Sequence, residues 1–171
     1  MKKLFILGLL AIGLVSASVC SAADTNSLFS GNEASVNVST AYQLDGAYKL
    51  NGAYSENVAV GAGYYATKYV GIEASLPFYN TQGVAVKDVL ADVLVRVPVT
   101  VGSHFGFAPY GGVGVDYAWN QTQFSPFAKA GVELRVNKGW ALFTEYQYTI
   151  DRFADYQNGA GSLRGGLRLN F

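Results

Sequence analysis

Residues 131–148 read GVELRVNKGWALFTEYQY. Val132, Leu134 and Val136 alternate with Gly131, Glu133 and Arg135; after the turn, Trp140, Leu142, Thr144, Tyr146 and Tyr148 alternate with Ala141, Phe143, Glu145 and Gln147. A period of two is the signature of a β-strand with two unlike faces. Between the runs, Asn137, Lys138 and Gly139 form a turn in which Asn and Gly accept a positive φ at little steric cost. The stretch is therefore an antiparallel hairpin with one apolar face and one face carrying Glu133, Arg135 and Glu145. Which face meets water decides the fold: a soluble barrel encloses the apolar face, whereas a membrane barrel encloses the charges.

The same alternation recurs along the chain and predicts eight strands, at 33–42, 57–65, 70–78, 86–97, 107–119, 124–136, 140–148 and 162–171. In the fourth, Val89, Ala91, Val93, Val95 and Val97 oppose Asp88, Leu90, Asp92, Leu94 and Arg96, and Pro98 is expected to end pairing. Most segments are close to the ~9–11 residues that a tilted membrane strand needs. The connections 43–56 and 150–161 are the longest, 98–106 is intermediate and the others are short. With both termini in the periplasm, the two longest fall outside the cell.

The first 23 residues carry Lys2 and Lys3, an apolar run and a small-residue end at Ser21-Ala22-Ala23, the pattern of a secretory signal peptide cleaved after Ala23. The apolar run is shorter than the ~20 residues of a spanning helix. The only cysteine, Cys20, lies within it; the bulky Val19 beside it argues against a lipid anchor there. The expected organisation is thus signal peptide 1–23, a short flexible lead-in 24–32, and one barrel domain 33–171. The whole chain has 12 basic and 12 acidic side chains, so charge offers no reason to expect nucleic acid as a partner. Half of the residues are hydrophobic, yet no later apolar run is long enough to cross a membrane as a helix. If this chain enters lipid it must do so as strands, and only a closed barrel then satisfies every backbone group.

The two faces differ in ways that favour enclosing the charges. The charged face is rich in glycine (Gly61, Gly63, Gly71, Gly112, Gly114, Gly131, Gly166), which relieves crowding inside an eight-strand barrel and does nothing for a wet surface. It also carries acids (Glu73, Asp88, Asp92, Asp116, Glu133, Glu145) and bases (Arg96, Lys129, Arg135, Arg164, Arg168) in nearly matched numbers, so that they can neutralise one another. The apolar face has aromatic residues near strand ends (Tyr42, Tyr64, Phe78, Tyr117, Trp119, Phe124, Trp140, Tyr148), as an interfacial girdle would. Turning the charges outward would cost about 2–4 kcal/mol for each base near the midplane, or roughly 10–20 for the five. A domain's whole stability is only about 5–15 kcal/mol. The expected fold is an all-β, eight-stranded antiparallel up-and-down transmembrane β-barrel.

The terminal RGGLRLNF, with Leu167, Leu169 and Phe171 at alternate positions, resembles the C-terminal signature of outer-membrane barrels. Together with DVLVRVPV, FAPYGGVGVDY and GVELRVNKGWALFTEYQY, it makes residues 33–171 similar to the small OmpA/OmpX-type, opacity-protein-like outer-membrane β-barrel family. The resemblance implies residence in the cell outer membrane, contact with its lipid and lipopolysaccharide, and recognition of Phe171 by the barrel assembly machinery; it fixes no single activity.

An eight-stranded barrel is just wide enough to be filled by its own side chains. The expected function is therefore non-enzymatic: a monomeric barrel with a plugged lumen that contributes to envelope integrity or to surface interaction through loops 43–56 and 150–161. Two alternatives belong to other classes. One is a lipid A-modifying enzyme, since barrels of this size include a deacylase and a palmitoyltransferase. That chemistry needs a nucleophile activated by a histidine. The one histidine, His104 in VGSHFGF, has Gly106 where the deacylases it would resemble carry serine, and it lies in an expected periplasmic turn. The other is a soluble, lipocalin-like periplasmic barrel that binds an apolar ligand. No catalytic, cofactor-binding or metal-binding residues are assigned, and no cofactor is expected; the GxG strings lie within strands, where a phosphate-cradling turn cannot form.

Overall fold

The computed structural model describes residues 28–44, 57–80, 84–101, 104–119, 122–150 and 159–171. The signal-peptide reading of 1–23, the start of the lead-in and most of both long connections lie outside these residues. Ten strand segments follow one another: β1 (Glu33–Gln43), β2 (Asn57–Tyr65), β3 (Val70–Asn80), β4 (Val84–Val86), β5 (Asp88–Arg96), β6 (Val99–Val101), β7 (Phe105–Ala118), β8 (Gln123–Arg135), β9 (Trp140–Ile150) and β10 (Gly159–Asn170). Every pairing is antiparallel, and each strand pairs with the next in chain order once β4, β5 and β6 are counted as one interrupted stave. β1 then pairs with β10, Val38 opposite Leu167, which closes the ring at eight staves. No edge is left to pair outside, as lipid requires.

The fourth stave departs from the sequence reading in two places. β3 pairs Ser75 with Leu90 but Phe78 with Val86, so one extra residue is accommodated around Lys87. This is a β-bulge, which leaves Val86 on the outer face beside Phe78 while Asp88 points inward. Pro98 does not end pairing. The ladder runs from Arg96 opposite Tyr110 to Val99 opposite Phe107 in unbroken register, so β6 and β7 take up most of the 98–106 connection. Arg96 N–H donates to Tyr69 C=O on the β3 side, so two residues on the nitrogen of Pro98 faces the flank where β3 has already turned away. A missing donor there costs nothing. The break in the ladder arises across from it: Val97 N–H donates to Pro109 C=O at 2.9 Å, and Pro109 has no N–H to return.

Burial settles which face is inside. Ile72, Val113 and Leu167 are 59, 66 and 52% exposed, whereas Glu133, Arg135 and Arg168 are 0% exposed. The apolar side chains form the outer surface and the charged ones fill the lumen. A soluble barrel with an apolar interior is thereby excluded.

Candidate functional site: the filled lumen

The end at which β1 begins and Phe171 terminates the chain is here called the lower end. Just inside it, Glu33 of β1 receives both terminal nitrogens of Arg135 of β8, Nη1 to Oε2 at 2.7 Å and Nη2 to Oε1 at 2.5 Å. Arg96 of β5 donates Nη1 to the same Oε1 at 3.2 Å and Nε to the carbonyl of Lys68 at 2.9 Å. Arg135 Nε also donates to Glu133 Oε1. One layer up, Arg168 of β10 spans two carboxylates, Nη1 to Glu133 Oε2 and Nη2 to Glu73 Oε2, both at 2.5 Å. Above that, Lys129 Nζ lies 3.4 Å from Glu73, 2.9 Å from Asp92 and 3.6 Å from Glu145. Arg164 donates to the other oxygen of Glu145 at 3.4 Å.

The result is one continuous acid–base chain, from Glu33 through Arg96 and Arg135 to Glu133, Arg168, Glu73, Lys129, Asp92, Glu145 and Arg164. Tyr110 of β7 joins it by donating its hydroxyl to Glu145 Oε2 at 2.8 Å. Tyr65 of β2 joins it through its ring, whose centroid is 3.5 Å from Arg96 Cζ. Every stave of the barrel thus contributes a side chain. Alternation places them inward, and small residues make room for them. A Cβ on Gly131 would meet the Tyr110 ring at 2.7 Å and Glu145 Cβ at 2.8 Å, so the glycine lets Tyr110 cross over it to reach its acceptor. Such an arrangement suits a plug, because every carboxylate oxygen in it except Asp92 Oδ1 faces a guanidinium or ammonium group.

Of the charges assigned to the lumen from sequence, Glu73, Asp92, Arg96, Lys129, Glu133, Arg135, Glu145, Arg164 and Arg168 come together in this chain of contacts. Asp88 is buried and Asp116 half-buried nearer the upper end. Glu33 was missing from that set; it is the hub of the lower layer. Its signal was its parity with Ser35 and Asn37, both inward and buried. Among the aromatics read as a girdle, Tyr64 and Trp140 stand at the lower end. Tyr42, Phe78, Tyr117, Trp119, Phe124 and Tyr148 stand at the upper end, where the Tyr117 and Phe124 rings lie 4.6 Å apart and Trp119 Nε1 donates to Val86 C=O at 3.2 Å. Leu167, Leu169 and Phe171 all face outward, 52, 52 and 61% exposed. His104 is exposed in the β6–β7 turn at the lower end. Among the described residues, no three His, Cys, Asp or Glu side chains are grouped to hold a metal ion.

Solved structures share this architecture. The N-terminal β-barrel domain of Pseudomonas aeruginosa OprF superimposes with a TM-score of 0.61 at 13% identity, over 83% of this chain and 99% of that one. A de novo designed transmembrane β-barrel does so with a TM-score of 0.54 at 20% identity, over 82% and 97%. At these identities the likeness concerns the fold. No curated protein matches the chain in sequence. The sequence profile of the outer membrane protein beta-barrel domain matches residues 7–171, nearly the whole chain, so this protein belongs to that family of integral outer-membrane barrels.

Proposed function

We propose that the protein is a non-enzymatic, sealed barrel that supports the integrity of the outer membrane or its contacts with the surroundings. The observation that carries this reading is the unbroken chain of buried, mutually neutralising charges across the lumen. An ion entering it would have to displace one partner of a desolvated pair, which costs several kcal/mol for each charge uncovered. The barrel therefore acts through its two rims and its lipid-facing wall rather than through a passage. Its partners are outer-membrane lipid and lipopolysaccharide, with the barrel assembly machinery during biogenesis, and it works as a monomer. Lipid A chemistry finds little support, because His104 stands at the opposite end from the rim that would meet outer-leaflet lipid A.

The reading predicts no conductance steps when the purified protein is reconstituted in planar lipid bilayers. It also predicts that shortening the 43–56 and 150–161 connections in cells raises leakiness to dyes and detergents or lowers surface binding. Regular ion steps in the first experiment, or no change in leakiness or binding in the second, would sink it.

A further inference from the structure

Residues 28–32, just ahead of β1, fold back under the barrel instead of trailing away from it. Leu28 and Phe29 are 5 and 1% exposed and pack with Ala108 of β7 inside the lower mouth. Arg135 Nη1 donates to the Leu28 carbonyl at 2.7 Å, and Arg96 Nη2 donates to the Ser30 carbonyl at 3.2 Å. The Phe29 ring lies against both guanidiniums, its centroid 4.4 Å from Arg135 Cζ and 5.3 Å from Arg96 Cζ. Such contacts are attractive through the ring quadrupole. The seat depends on Gly106, since a Cβ there would stand 2.8 Å from Phe29 Cε2. The chain leaves the seat through Asn32, in the left-handed region at φ 56°, whose Oδ1 accepts from the Tyr64 hydroxyl at 3.0 Å.

We propose that this segment is a closure lock: a cork that docks only when the barrel has closed and then holds it shut. The segment is tethered to β1, but its holders belong to β5, β7, β8 and, through Tyr64, β2. In an open sheet running from β1 to β10, β1 and β8 lie far apart, and Glu33 and the cork can reach Arg135 only after β1 has met β10. The cork's contacts with β5, β7 and β8 are therefore absent from any state that precedes closure, whereas the Asn32–Tyr64 contact lies between neighbouring strands and can form earlier. Contacts absent from the folding transition state change the unfolding rate and leave the folding rate alone.

The test follows the full chain with Cys20→Ser, refolded from urea into phospholipid vesicles, by the compact band on unheated gels. Phe29→Ala is expected to fold within about twofold of the unsubstituted rate and to unfold about tenfold faster or more, with Phe29→Leu between the two. In the same background, Phe29→Cys is expected to become protected from a maleimide together with, or after, the compact band. Folding slowed as much as unfolding is accelerated, unfolding left unchanged, protection that precedes the compact band, or failure of both Phe29→Ala and Phe29→Leu to reach that band would each overturn the lock. Any of these would mean that the segment docks before closure or does not hold it.

Discussion

Glu133 is one carboxylate facing three guanidiniums: Arg168 at 2.5 Å, Arg135 through Nε, and Arg96 at 3.8 Å, with no exposure of its own. Its value to the protein is not the sum of those attractions, because desolvating the ions offsets most of the Coulomb gain. Removing it is another matter, since it leaves three buried guanidiniums with only Glu33 and Glu73 to share between them. Glu133→Ala is expected to cost about 3–5 kcal/mol, read as a lower urea midpoint of the compact gel band. A midpoint within error of the unsubstituted protein would mean that water screens the lumen. At this scale the sequence disclosed which residues point inward, because parity along a strand is local. It did not disclose who pairs with whom: Arg135 and Glu33 are 102 positions apart, and their meeting depends on the register of the whole ring. Phe29 was illegible for a related reason. LFSGN reads as a lead-in of an apolar pair and turn formers, and only the closed mouth, with Gly106 opposite and two guanidiniums above, gives that pair somewhere to go.

At the scale of elements, all eight staves were legible from alternation, and the discrepancies fall where backbone chemistry interrupts it. The bulge at Lys87 is silent in the pattern, because an extra residue looks like any other until the partner strand is counted against it. Pro98 misled in the opposite direction. A proline breaks pairing only if its nitrogen is on the side where a bond is due, and that side is fixed by where β3 ends. Pro109 is the residue whose missing N–H faces a neighbour, the carbonyl of Val97. Pro109→Ala should therefore restore the reciprocal bond. Its expected effect is a stabilisation of about 0.5–1.5 kcal/mol, less what the freer unfolded chain takes back, whereas Pro98→Ala should change stability by no more than about 0.5. Urea midpoints of the two variants separate the cases. If Pro98→Ala is the one that stabilises, the nitrogen of Pro98, not that of Pro109, faces the unpaired carbonyl.

For the whole molecule, closing the ring and reaching the membrane are separable demands, and Phe171 takes part in both through different atoms. Its N–H donates to Ala34 C=O at 2.9 Å and its C=O accepts from Ala34 N–H at 3.3 Å, so its backbone completes the β1–β10 seam. Its ring makes no such contribution: it is 61% exposed on the outer wall, in line with Leu169 and Leu167. Phe171→Ala keeps both seam bonds and removes only the ring. Refolded into vesicles, this variant should lose no more than about 1–2 kcal/mol, the share of a partly exposed aromatic moved out of lipid. In cells, where the exposed terminal ring is the feature proposed to engage the assembly machinery, the amount of compact, heat-modifiable protein in the outer-membrane fraction should fall several-fold. A fall in both settings by the same measure would place the ring's role in stability. An undiminished outer-membrane fraction would remove Phe171 as an assembly signal altogether, and the closure seam would then be the only reason for a residue at that position.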